Sequence, residues 1–105
     1  MSEGARRYRV VIEPPAISDL EIAMGFIERD ASRETAVRWF LEVSARIDSL
    51  CEHPRRFARA REAAVFPDRE LRQIVVHSHR ILFVIEGDLV RVFHVRHARR
   101  DDLSA

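Results

Sequence analysis

Five consecutive apolar residues, "ILFVI" at 81–85, set the strongest constraint on how this chain folds. Side chains on a strand alternate between faces, so this run presents apolar groups on both. Such a strand is covered on at least one side and shielded on the other. Its sequence neighbours also read as strands. "LRQIVVHS" (71–78) precedes it, and "LVRVFHVRH" (89–97) follows Gly87-Asp88, a strong hairpin dipeptide. Three strands are therefore predicted, at 71–78, 80–86 and 89–97.

Upstream, "YRVVI" (8–12) is a short β-rich run in which Tyr8, Val10 and Ile12 alternate with Arg9 and Val11. Glu13-Pro14-Pro15 ends it, because proline cannot continue a central strand but fits the first turn of a helix. Residues 16–30 then carry helical periodicity: Ile17, Leu20, Met24 and Ile27 recur on one stripe, with Ala23 beside them. Ser18 and Glu21 have capping-box spacing, which leaves the helix start open by a turn. Ser32 is expected to cap a second helix, with Glu34 in its first turn. Across 33–52, Ala36, Phe40, Val43, Ile47 and Leu50 form one stripe, and His53-Pro54 ends the helix. Two helices joined by so short a linker make an antiparallel hairpin. Residues 55–70 have no clean period and read as a long, arginine-rich connection, with a strand start expected near Val65–Phe66.

The element order is thus β-α-α-β-β-β. A first strand standing alone would leave its edge unpaired, so it is expected to join the later sheet. The fold class is α+β: a small, mostly antiparallel sheet with a helical hairpin packed on one face. The 105 residues suit a single domain, with 1–7 and 103–105 as loose termini. A composition of 47% hydrophobic and 33% charged residues is that of a globular domain, not a disordered one. The single cysteine, Cys51, excludes an intramolecular disulfide and suits a reducing cytosol. No stretch approaches the ~18 apolar residues of a membrane helix, and the N-terminal apolar stretch is too short for a signal sequence. A cytoplasmic protein without membrane contact is expected.

The net charge of +1 hides an asymmetry. Residues 1–52 hold seven arginines against ten carboxylates; residues 53–105 hold eleven against seven. Every basic residue is arginine, so no lysine is available as a base or Schiff-base nucleophile. Arginine makes planar, bidentate contacts to carboxylate and phosphate.

In this order, the segments resemble the RelE/ParE superfamily of toxins from bacterial type II toxin–antitoxin systems, over about residues 8–103. "YRVVIEPPAISDLEIAMGFI" is similar to the family's first strand followed by an alanine and Asp-Leu at the start of the first helix. "AVRWFLEVSARIDSLCEHP" is similar to its long helix ending in Leu-x-x-x-Pro. The closing V-x-H-x-R-R-D, made by Val95, His97, Arg99, Arg100 and Asp101, looks like the ParE branch. The resemblance implies a toxin of plasmid-stabilisation type, silenced by a cognate antitoxin whose flexible segment folds across it. It also implies a homodimer or a heterotetramer with that antitoxin. ParE-like members bind and poison DNA gyrase; RelE-like members cut mRNA on the ribosome. RelE-like enzymes often use lysines in the stretch matching 55–70 and a tyrosine near the end. This chain has arginines in the first place, and Asp102, Leu103 and Ser104 in the second. The non-enzymatic, ParE-like reading therefore comes first. A RelE-like endoribonuclease is the alternative, and a degenerate toxin that only binds antitoxin and regulates its operon is the third.

Cleavage of RNA would need a base for the 2′-hydroxyl, cations for the phosphate charge and an acid for the leaving oxygen. His97 or His94 could be base or acid, with Arg72, Arg80, Arg96, Arg99 and Arg100 on phosphate and Glu62 or Glu70 as a second proton carrier. The opposing reading makes His97 structural. On a regular strand His94 and Arg96 share one face and His97 takes the other. Partner contacts are expected from Trp39, if exposed, and from Arg55, Arg56, Arg59, Arg96, Arg99 and Arg100. His77 and His79 flank Ser78 in a hairpin turn and lack a third ligand, so no metal and no other cofactor is expected.

Overall fold

The computed structural model of the chain describes residues 7–98. It contains β1 (Arg9–Ile12), α1 (Pro14–Asp30), α2 (Arg33–Asp48), β2 (Glu70–Val76), β3 (His79–Glu86) and β4 (Leu89–His97). The sheet order is β1-β4-β3-β2. β1 runs parallel to β4, and the other neighbours are antiparallel. This is the expected α+β arrangement, with the first strand drawn into the sheet beside the last.

β3 lies inside the sheet, and Ile81 through Ile85 are all buried. Its two faces enter two separate cores. Ile81, Phe83 and Ile85 join Val90, Val92 and Val95 beneath the helical hairpin. Leu82 and Val84 pack on the opposite face with Leu71 and Ala60, and with the partly buried Ala63, Phe66 and Phe93. The second cover comes from the connection between α2 and β2. It follows the outer edge of β2, where Gln73 N–H donates to Ala58 O at 3.1 Å and Ala60 N–H to Leu71 O at 3.1 Å. It then crosses the face through a short 3-10 turn at Arg61–Val65. The strand start expected near Val65–Phe66 is thus replaced by a turn, and β2 begins at Glu70. Pro67 offers no N–H to a ladder, and Phe66 is needed inward as a lid on the second core.

α1 departs from expectation at its start and at Ile17, whereas α2 keeps the expected stripe and adds Trp39 to it. α1 begins at Pro14, with Glu13 as its cap residue, so Ser18 and Glu21 do not start it. Ala16, Leu20 and Ala23 face the core, and Ile17 is 46% exposed. In α2 the buried stripe runs through Ala36, Trp39, Val43 and Ile47, and Phe40 is only partly buried. Ser32 caps α2 as expected, its Oγ accepting from Thr35 N–H at 3.0 Å. Gly87 turns the β3–β4 hairpin with φ +60°, a conformation that costs other residues more. Gly25 has no such reason. It is exposed in the middle of α1, and a Cβ there would meet nothing within 4 Å. A mid-helix glycine costs about 0.5–1 kcal/mol relative to alanine.

The cap of α2 is open to direct measurement. Ser32→Ala removes the acceptor for Thr35 N–H and is expected to lower stability by about 1 kcal/mol in urea denaturation.

Candidate functional site

β3 and β4 carry Arg80 and Arg96 directly opposite each other. Like charges in that register repel, so each needs a carboxylate nearby. Glu62, delivered by the turn over the outer face, supplies the first. Arg80 Nη2 meets Glu62 Oε2 at 2.5 Å and Nη1 meets Oε1 at 2.9 Å, both side chains almost wholly buried. Arg80 Nη1 also donates to Gln73 Oε1 at 2.7 Å. Asp19 of α1 stands near the second. Its Oδ2 accepts from Val95 N–H at 2.9 Å and lies 2.9 Å from His94 Nδ1 and 4.0 Å from Arg96 Nε. β1 pairs with β4 only as far as Val92, so Asp19 satisfies a backbone donor that the short edge strand leaves uncovered. Arg96 Nη2 completes the group, 3.2 Å from His94 Nδ1.

A second cluster ties the connection to the sheet. Arg55 grips Glu70 with two bonds of 2.7 Å and reaches Tyr8 OH at 2.9 Å. Arg72 donates to Glu70 Oε2 at 3.1 Å and to Phe57 O at 2.7 Å. Hydrogen bonding from Arg55 holds the Glu70 carboxyl below its ordinary range and outweighs burial, with Arg72 adding to the effect. Arg56 Nη1 donates to the carbonyls of Glu52 and His53, and its guanidinium lies over the Phe57 ring.

The expected site residues therefore separate. Arg72 and Arg80 are committed to internal carboxylates and carbonyls. His97 stands opposite His79, ring to ring at 5.5 Å, and His79 meets Trp39 of α2 at 5.0 Å. The strand is not regular: a bulge shifts the β3–β4 register between Leu82 and Phe83, and His94 and Arg96 neighbour each other. Arg96 and His97 line one hollow with Asp19 and His79, while the guanidiniums of Arg72 and Arg80 are bonded to Glu70 and Phe57 O and to Glu62 and Gln73. Of the partner residues, Trp39 is only 7% exposed and belongs to the core, which corrects the expectation of an exposed anchor. Its place at i+3 from Ala36 and i−4 from Val43 is a core position. Arg55 and Arg56 are half spent on internal bonds. Arg59 is exposed and, among the described residues, makes no ion pair. Arg99 and Arg100 lie outside the described residues.

Asp19 entered the sequence reading only as part of the Asp-Leu pair, and its role on β4 was missed, since a contact spanning 75 residues leaves no local signal. That reading also took Glu62 for a proton carrier; the residue is the counter-charge of Arg80. Two surface hollows accompany these clusters. One, of about 570 Å³, has Phe66, Leu71, Val84 and Phe93 within a rim of Glu13, Arg69, Glu86 and Arg91. The other, of about 720 Å³, runs between α1 and the ends of β3 and β4, past Ile22, Phe26, Val95 and His97. Among the described residues no cluster of three or more metal-ligating side chains occurs, and no helix is long and apolar enough to cross a membrane.

The fold, a helical hairpin on a four-stranded mixed sheet, matches chains of two solved structures. The structure titled "Chromosomal ParDE TA system from P. aeruginosa" superposes with a TM-score of 0.75 at 12% identity, covering 90% of this chain and 100% of that one. The archaeal RelE-RelB complex from Pyrococcus horikoshii OT3 gives a TM-score of 0.53 at 17% identity, covering 90% and 99%. The profile of the family described as "ParE toxin of type II toxin-antitoxin system, parDE" matches residues 10–102. The chain belongs to this family, within the RelE/ParE superfamily. No curated protein sequence matches it.

Two measurements follow from the ion pairs. Arg80→Ala leaves Glu62 charged and buried, and is expected to destabilise the fold by about 3–5 kcal/mol in urea denaturation. A merely catalytic Arg80 would leave stability unchanged. For Glu70, a folded pKa below the unfolded value of about 4.3 gives stability that is present above that value and lost as pH falls through the depressed one. The stability gap between wild type and Glu70→Gln should thus be full at neutral pH and shrink in acid, as read from denaturation at stepped pH.

Proposed function

We propose that this chain is the toxin of a type II toxin–antitoxin pair, acts by binding DNA gyrase and is neutralised by a cognate antitoxin. Membership of the ParE family supports the class. The antitoxin is supported by the two neighbours, whose titles name toxin–antitoxin assemblies. The observation that favours binding over cleavage is the internal neutralisation of the guanidiniums. A phosphate-stabilising arginine must turn its N–H groups to the substrate. Arg80 turns its own to Glu62 and Gln73, and Arg72 to Glu70 and Phe57 O. His97, one of two candidate bases or acids, is engaged ring to ring with His79. On this reading Arg59 and Arg96, with Arg99 and Arg100, are partner-facing cations, and the His97 ring braces the end of the sheet.

The alternative is a RelE-like endoribonuclease acting on ribosome-bound mRNA, favoured by one feature. Arg96 and His94 stand side by side, partly exposed, and a cation beside an imidazole is a minimal phosphate and proton-transfer pair.

Purified chain in two assays separates the readings. Gyrase supercoiling should be inhibited, translated mRNA should stay uncut, and His97→Ala should keep its inhibitory activity if it stays folded. Cuts in translated mRNA that vanish in His94→Ala or Arg96→Ala would establish the nuclease. Inactivity in both assays, with tight antitoxin binding, would identify a toxin reduced to an antitoxin-binding regulator.

A further inference from the structure

The outward face of α1 is composed unlike a solvated helix face. Ile22 is 59% exposed and Phe26 54%, one turn apart. Gly25 lies beside them, exposed, at a position where neither a turn nor close packing within the chain calls for glycine. Glu21 and Arg29 flank it four residues away on either side, both exposed. Among the described residues neither has an ion-pair partner, and Arg29 touches only the Phe26 ring, at 4.9 Å.

We propose that this face is a self-association surface, where a second copy of the chain lays its own α1 antiparallel and crosses at Gly25. Three features converge on a second copy. A two-fold axis at Gly25 brings residue 25−k of one helix against residue 25+k of the other. It therefore pairs Glu21 of each copy with Arg29 of the other, twice. That self-complementarity is the property an isologous interface requires. The missing side chain at Gly25 lets the two backbones approach closely at the crossing, so a glycine unfavourable in the monomer is useful in the pair. Ile22 and Phe26 supply apolar surface beside the crossing on both copies, where its removal from water favours association. The surface is separate from the Arg80–Glu62 and Arg55–Glu70 clusters. It does not depend on whether the toxin acts on gyrase or on mRNA.

The test is sedimentation equilibrium of the full chain without antitoxin, across the micromolar range. Wild type should dimerise reversibly. Glu21→Arg or Arg29→Glu alone sets like charges together twice, and should weaken the dimer at least about tenfold. The double variant E21R/R29E restores opposite charges and should recover the wild-type constant to within about threefold. Gly25→Leu should abolish the dimer while circular dichroism reports an unchanged helix content. A wild-type chain that stays monomeric overturns the proposal. So do single reversals without effect, a double variant that fails to recover, or an α1 face protected from exchange only when a different partner is added.

Discussion

β3 is apolar on both faces, and a strand of that kind needs two layers to keep it from water. The helical hairpin supplies one. A sheet this small has no second pair of helices for the other face, so the connection from α2 to β2 serves as the lid. A connection carries few apolar residues and little hydrogen bonding of its own, and must be fastened at several points. Arg55 bonded to Glu70 and Arg72 bonded to Phe57 O fasten its beginning, the bridge along β2 fastens its middle, and the buried Arg80–Glu62 pair fastens the turn over the core. Most of the chain's unusual chemistry is spent in holding this lid.

That requirement explains why arginine predominates in the second half. A guanidinium bonds a carboxylate with two parallel N–H groups and still has donors left for carbonyls, so one side chain joins three segments. Arg55 does so for the connection, Glu70 of β2 and Tyr8, and Arg72 likewise ties β2 to Phe57 of the connection while bonding Glu70. A lysine would offer a point charge without the planar fork. Arg72 and Arg80, candidates for phosphate in the sequence, serve instead as internal scaffolding.

The strands and helices were legible because each carries its own period. The "ILFVI" run placed β3 inside the sheet, Gly87-Asp88 placed the hairpin, and Ser32 placed the start of α2. The departures at Ile17 and Trp39 have one cause. Apolar residues occur on more than one side of each helix, so periodicity alone cannot say which stripe faces the sheet; here it is the one through Ala16 and Trp39. The site was less legible because its contacts are long-range. Asp19 meets His94 and Val95 across 75 and 76 residues, and Glu62 meets Arg80 across 18. The short reach of β1 exposes the Val95 donor, and a connection closing the second core buries Glu62. Both facts concern the assembled sheet rather than any local segment.

The same neutralisation bears on how such a protein finds its partners. With Arg55, Arg72 and Arg80 matched to carboxylates, the described surface retains isolated cations such as Arg59 and Arg38 rather than a continuous basic field. At a net charge of +1, long-range steering is weak. Recognition then rests on short-range complementarity, and exposed apolar groups occur on both helices, Ile17, Ile22 and Phe26 on α1 and Val37 and Leu41 on α2, as well as at Val11, Ile12, Val65 and Val75. The hairpin thus offers apolar surface to another protein, beside the smaller hollow that the lid leaves over Phe66, Leu71, Val84 and Phe93. The fold thereby divides its labour: arginines and carboxylates hold the sheet's far side together, and the helices face outward for contact.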